Sequence, residues 1–253
     1  MVNRFKREDL DLYIRDFGSG MRFIKHPLLN EMLYGELDRE IPESFKNVLI
    51  VQESILPQGG YAKTFGDAYV QKINYKQREL DKAIDQENWD KVFMLIEKPF
   101  RLDWLNENVD LIQDDKKYYD FLKDAYMLTE FPMNGFSSYR DLLDLFYAKD
   151  NPKLMMDKGE LKLLNSLPKE VKIWRGIKVD DVLDDDNIGL SFTLNKDKAI
   201  WFAERFAQSG VSQAILIEAV VKRDDILSIF LNRDEEEVIV NPEQIKIKNI
   251  IEL

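Results

Sequence analysis

The pattern of apolar and polar positions changes character along the chain. Phe5, Leu10, Leu12, Tyr13 and Phe17 outline an early amphipathic segment, which Gly18-Ser19-Gly20 breaks. The apolar run NVLIVQESIL at 47–56 predicts a strand, and Pro57-Gln58-Gly59-Gly60 predicts a turn or loop after it. The charged run INYKQRELDKAID at 73–85 reads as helix. In the next segment Trp89, Val92, Phe93 and Ile96 fall at helical spacing on one face, and Pro99 ends the run. DDKKYYDFLKDAYMLTE predicts another helix, with Tyr118, Phe121, Leu122, Ala125 and Leu128 in one stripe before Pro132, Asn134 and Gly135 interrupt it. Ser138 is placed to cap YRDLLDLFYA, and KGELKLLNSL follows as a further helix before Pro168. These aromatic stripes read as packing.

After Pro168 the period shortens. VKIW alternates, QAILIEAVV at 213–221 is apolar enough for a central strand, and EEVIV and IKIKNIIEL close the chain with β-branched residues. One helix, KDKAIWFAERFA, lies between strands, with Ala199, Phe202, Ala203 and Phe206 on one side. Helices followed by a mostly β half predict an α+β fold with segregated elements. The reading divides the chain into an N-terminal segment of unknown role at 1–84 and a domain at 85–253. That domain holds a helical lobe at 86–166 and a β core at 168–253.

Composition narrows the chemistry. Cysteine is absent, which excludes disulfides, thiolate metal sites and a cysteine nucleophile. The only histidine, His26, precedes Pro27 and reads as structural, so Ser-His hydrolysis and histidine-clustered zinc find no support, and no metal is expected. The formal charge of −11 disfavours non-specific attraction to nucleic acid or anionic lipid and suits a cationic partner. No apolar run approaches the ~18 residues that span a bilayer, so no membrane partner is expected. The charged start MVNRFKREDLDLY lacks the apolar stretch of a signal peptide, so the cytoplasm is the expected compartment.

Three short signals remain. VKIWRG ends in Arg175 and Gly176: a planar cation suited to a bidentate hold on phosphate, then a residue that lets backbone turn or approach a ligand. GLSFTL carries Ser191 and Thr193, two apart and so on one face of a strand, with Asn195 placed to cap the following helix. RDEEEVIV carries Glu235 and Glu237, with Cα atoms roughly 6.5–7 Å apart if the strand is regular. Taken singly, these are an arginine at a strand end, an ordinary strand and a solvated acidic turn.

In this order they resemble the arginine, serine and glutamate signature of the mono-ADP-ribosyltransferases of bacterial-toxin and phage type. The likeness covers roughly residues 171–253. It includes the strand-then-helix step SFTLNKDKAIWFA and the loop before the acidic pair in DDILSIFLNRDEEEVIV. It implies a helical lobe followed by a split β-sandwich core, with NAD as substrate. Arg175 and Gly176 would bind NAD, with Arg175 on its phosphates. Ser191 would fix Glu237 and the nicotinamide ribose, and Thr193 would act behind them. Glu237 would be the catalytic carboxylate and Glu235 the group that orients or deprotonates the nucleophile. Phe230 would touch the target. Glu-x-Glu in this family goes with arginine as acceptor, so the implied partner is a protein arginine. A base in RNA or DNA is the alternative acceptor, and an interaction module without activity is a further one. The toxin likeness also allows an inhibitor or antitoxin partner. The chain departs from the family pattern in having Ser-Phe-Thr for Ser-Thr-Ser, and in placing Phe230 farther ahead of Glu235.

Overall fold

The computed structural model describes residues 4–33, 35–42, 62–129, 136, 138–179, 188–207, 213–231 and 235–253. The expected strand at 47–56, its turn at 57–60, and the breakers Pro132, Asn134 and Gly135 lie outside these residues. Among the described residues, helices combine with two antiparallel sheets, one of three strands and one of six. The chain divides into two compact units, Met1–Ile112 and Gln113–Leu253, whereas the sequence reading drew its boundary at 84–85.

The first unit opens with a 3-10 turn, Glu8–Tyr13, and the strands β1 (Ile14–Asp16), β2 (Arg22–His26) and β3 (Leu29–Met32), paired in that order. The early segment is therefore not one amphipathic element. Leu10 is fully buried, but Leu12 in the same 3-10 turn and Phe17 beyond β1 are exposed, and the chain switches from helical to extended at Ile14. Gly18, Ser19 and Gly20 all adopt positive φ, which turns the chain back into β2. Helix α1 (Phe65–Asp85) includes the expected 73–85 run and begins eight residues earlier, at a capping box between Thr64 and Asp67. It is followed by α2 (Trp89–Leu95) and α3 (Arg101–Glu107). Leu10, Ile24, Leu29, Phe65, Tyr69 and Ile73 form this unit's core.

His26 belongs to that core. Its Nδ1 accepts the Leu28 N–H at 3.0 Å, and its ring meets the edges of Phe5 and Tyr13. Burial, helped by Lys76, lowers its pKa from 6.5 to about 4. The folded state thus resists a proton that the unfolded state takes up. The contribution to stability is complete above the unfolded pKa and drains away as pH falls toward the folded one, by up to about 3 kcal/mol. Urea denaturation at about pH 7 and about pH 4.5 should show this acid loss in the wild type and a smaller one in His26→Asn. Equal losses would refute the assignment.

The second unit begins with α4 (Asp115–Leu128), α5 (Tyr139–Tyr147) and α6 (Lys158–Ser166). Ser138 and Asp141 close a capping box on α5, and Asp157 and Glu160 close one on α6. On α4 the stripe Tyr118, Phe121, Leu122 and Ala125 is buried, while Leu128, the last residue of the helix, is exposed. Tyr118 donates to the Leu145 carbonyl at 2.9 Å, and Tyr119 to those of Phe146 and Lys149. These bonds satisfy carbonyls at the end of α5 that the helix itself leaves open.

Glu160 is 1 % exposed and receives Lys123 Nζ on both oxygens, at 2.9 and 2.7 Å. It also accepts the N–H of Leu231, at the root of the segment leading to Glu235. Removing one partner of such a pair strands a buried charge, so Lys123→Met should cost on the order of 3 kcal/mol in urea denaturation, and adding Glu160→Gln should recover part of it. A loss no larger than that of Lys116→Met, at an exposed lysine, would refute the buried pair.

The six-stranded sheet comprises β4 (Glu170–Val179), β5 (Ser191–Thr193), β6 (Gln213–Lys222), β7 (Ile226–Phe230), β8 (Glu237–Val240) and β9 (Lys246–Glu252), in the order β7-β8-β5-β4-β6-β9. Val171, Ile173, Ile217, Ile229, Val238 and Val240 are among its core residues. Helix α7 (Lys196–Ala207) packs across β4 with Ala199 and Ala203 buried. Among the described residues no helix is long and apolar enough to cross a membrane.

Candidate functional site

The three motif strands are neighbours. β4 carries Arg175 and pairs with β5, which carries Ser191 and Thr193. β5 in turn pairs with β8, which opens on Glu237. Trp174 lies opposite Thr193, and Thr193 opposite Glu237. Residues more than sixty positions apart in the chain are thereby drawn into one cavity of about 180 Å³. Its walls include Trp174, Arg175, Ser191, Phe202, Glu235 and Glu237.

Hydrogen bonds run across the strands. Arg175 Nη1 donates to the backbone oxygen of Ser191. The Ser191 hydroxyl donates to Glu237 Oε1 at 2.5 Å, and the Tyr126 hydroxyl on α4 lies 3.5 Å from the same oxygen. Burial is the main force raising the pKa of the Glu237 carboxyl. The Ser191 hydroxyl opposes it, Glu235 adds to it, and Arg175 and Tyr126 oppose it. Burial also lowers the Arg175 guanidinium from its usual value, countered by Tyr126 and Glu237.

Several expectations change in detail. Arg175 does not end its strand. β4 runs on to Val179, because ten consecutive residues pair with β6. Gly176 is not at a turn: an added Cβ would lie 1.8 Å from the Ala199 oxygen and 2.7 Å from the Ala203 nitrogen. It lines the cavity, but its missing side chain makes room for α7. Thr193 also lines the cavity, but its one hydroxyl proton is already used. The hydroxyl donates to the Glu235 oxygen at 2.5 Å and accepts the Asn195 N–H at 3.0 Å. It fastens the acidic turn to the start of α7, where Asn195 accepts the N–H groups of Asp197 and Lys198 as a cap.

Glu235 and Glu237 do not sit on one regular strand. Glu236 adopts φ +44° and breaks the extended run, yet both carboxylate residues line the cavity. Phe230 is 1 % exposed and pairs with Glu237 across β7 and β8, so it is a core residue that no target can touch.

Three contributors to the site carry no signal in the sequence. Tyr126 lies in the expected helix but outside the apolar stripe named for it, with nothing in the chain to link it to a glutamate 111 residues away. Gly189 has φ +62°, and a Cβ there would lie 2.9 Å from Arg175 Nη2, so it both turns the chain into β5 and leaves room for the guanidinium. Trp174 offers an indole N–H. Its Nε1 and Arg175 Nε are buried without a hydrogen-bond partner among the described residues. Buried donors of this kind call for an acceptor, which a bound ligand can bring. The cavity lies below the ~300 Å³ typical of pockets that enclose a whole drug-sized molecule. Set against protein-family models, curated proteins and solved structures, the chain finds no match.

Proposed function

We propose that this protein is an NAD-dependent mono-ADP-ribosyltransferase that transfers ADP-ribose to a macromolecular target, with a protein arginine as acceptor. The observation that carries this reading is the hydrogen-bonded chain from Arg175 through Ser191 to Glu237 across three adjacent strands. The order and residue types of those strands resemble the family signature. On this reading the second unit is a helical lobe with a split β-sandwich transferase core, and the family likeness extends to a toxin or phage role in the cytoplasm.

The chemistry follows from the side chains. The bond between nicotinamide nitrogen and ribose carbon breaks, its electron pair leaves with nicotinamide, and positive charge develops on the ribose. Glu237, ionised and held by Ser191, stabilises that charge, as carboxylates do in glycoside cleavage. Glu235 stands at the same cavity and takes the proton of the incoming guanidinium nitrogen as its bond to the ribose carbon forms. Arg175 has donor capacity left for the diphosphate, and the Trp174 N–H is placed for an acceptor on the ring that enters the cavity.

The test is incubation of the pure protein with labelled NAD and a cell lysate, followed by separate protease and nuclease digestion. Label lost to protease supports the proposal, and label lost to nuclease moves the acceptor to RNA or DNA. If neither label nor free nicotinamide is produced, the fold is an interaction module.

A further inference from the structure

We propose that Tyr126 is a positioning residue that acts with Ser191 to hold Glu237 by a single carboxylate oxygen, leaving the other for the ligand. This rests on the function proposed above, but its geometry is independent of the acceptor.

Three tyrosines on α4 are buried, and their hydroxyls go to different places. Those of Tyr118 and Tyr119 bond to backbone carbonyls at the end of α5, which is a structural use. That of Tyr126 points to a carboxylate, Glu237 Oε1, at 3.5 Å. A position serving only the core would be filled more cheaply by phenylalanine, since a buried hydroxyl needs a partner. The Tyr126 ring packs against Phe146 and against Phe230, the residue paired with Glu237 across the strands. Its hydroxyl is thus fixed relative to the carboxylate by the same packing that fixes β7 on β8.

The separation is at the outer limit for a hydrogen bond, and such contacts in ligand-free sites commonly shorten when the ligand closes the cavity. Ser191 donates to the same Oε1, so neither donor occupies Oε2. The charged or titratable groups facing Glu237 are Arg175 from β4, Glu235 from the preceding turn and Tyr126 itself. Burial drives the tyrosine hydroxyl far above its ordinary value, so it remains a donor at every working pH.

The test uses full-length protein labelled with ¹³C at glutamate side chains. The Glu237 signal is identified by its loss in Glu237→Gln and titrated in the wild type, Tyr126→Phe and Tyr118→Phe. Losing a donor to the charged form should raise the Glu237 midpoint by about one pH unit in Tyr126→Phe and leave it in place in Tyr118→Phe. In NAD turnover, Tyr126→Phe should lower kcat roughly tenfold with KM changed less than about twofold, and should move the acid limb of the rate profile upward.

Should Tyr126→Phe fail to fold, 3-fluorotyrosine at position 126 keeps the shape, sharpens the donor and should move the midpoint down. An unmoved midpoint in whichever folded protein is titrated overturns the proposal. A moved midpoint in a protein that never releases nicotinamide keeps the positioning role and overturns the transferase reading instead.

Discussion

Glu237→Gln is expected to reduce nicotinamide release and ADP-ribose transfer by about a hundredfold to a thousandfold while leaving NAD affinity near that of the wild type. The amide keeps the size of the carboxylate and can still accept from Ser191 and Tyr126 through one oxygen. It lacks the negative charge needed as the ribose turns cationic, and it offers an NH2 donor where the second carboxylate oxygen stood. Calorimetric titration with NAD and a nicotinamide-release assay separate the two effects, and full turnover in this variant would falsify the assignment.

Burial raises the pKa of the Glu237 carboxyl, and the ionised form is the active one. Wild-type activity should therefore climb with pH through a value above the ordinary carboxylate range. The linkage to stability has the opposite sense. The unfolded chain ionises more readily than the folded one, so the charge destabilises the fold above the raised pKa, and this cost vanishes below the unfolded value. Glu237→Gln should consequently melt at a higher temperature than the wild type at neutral pH. A group kept for packing would not trade stability for turnover in this way.

Gly176→Ala is expected to be the most damaging small substitution in the second unit. The new methyl would overlap the backbone oxygen of Ala199 and press on the nitrogen of Ala203, neither of which can swing aside as a side chain could. Helix α7 would have to lift from β4, at a cost upward of about 3 kcal/mol. Gly159→Ala is the control, since its methyl would meet only the Asp157 carboxylate, at 3.2 Å, and it should stay within about 1 kcal/mol of the wild type. Urea denaturation followed by circular dichroism distinguishes them, and wild-type stability for Gly176→Ala would mean that α7 does not cross β4 there.

The contrast between Gly176 and Ser138 shows what the sequence could carry. Ser138 with Asp141 three positions on is a local cap, and the chain forms it as read. The helical stripe through Tyr118 and Leu122 is likewise local, and it is buried. Gly176 depends on where a helix some twenty residues later crosses its strand, which no local pattern encodes. Arg175 looked like a strand end because a glycine follows it. The ten-residue pairing with β6 overrides that break. Phe230 looked like a loop aromatic before an acidic turn, and only its register with Glu237 places it inside. The sheet of the first unit was unreadable for another reason. Its strands are three to five residues long and the first follows a 3-10 turn directly, so no period persists long enough to register. Arg175, Ser191, Glu235 and Glu237 were legible as a set because residue type and order survive without knowledge of the fold.

β5 has only three residues, too few for its own ladder to prevent a slip, and a slip of one position would exchange both hydroxyls for Phe192. Its alignment is set from outside. Gly189 turns the chain in at one end, and Thr193 with Asn195 ties it to α7 at the other. The strand therefore behaves as a short rung clamped at both ends, and the clamps govern the spacing between the arginine and the glutamate. An insertion or deletion between Gly189 and Asn195 would misplace both groups together, whereas the same change beyond either clamp would leave their spacing intact.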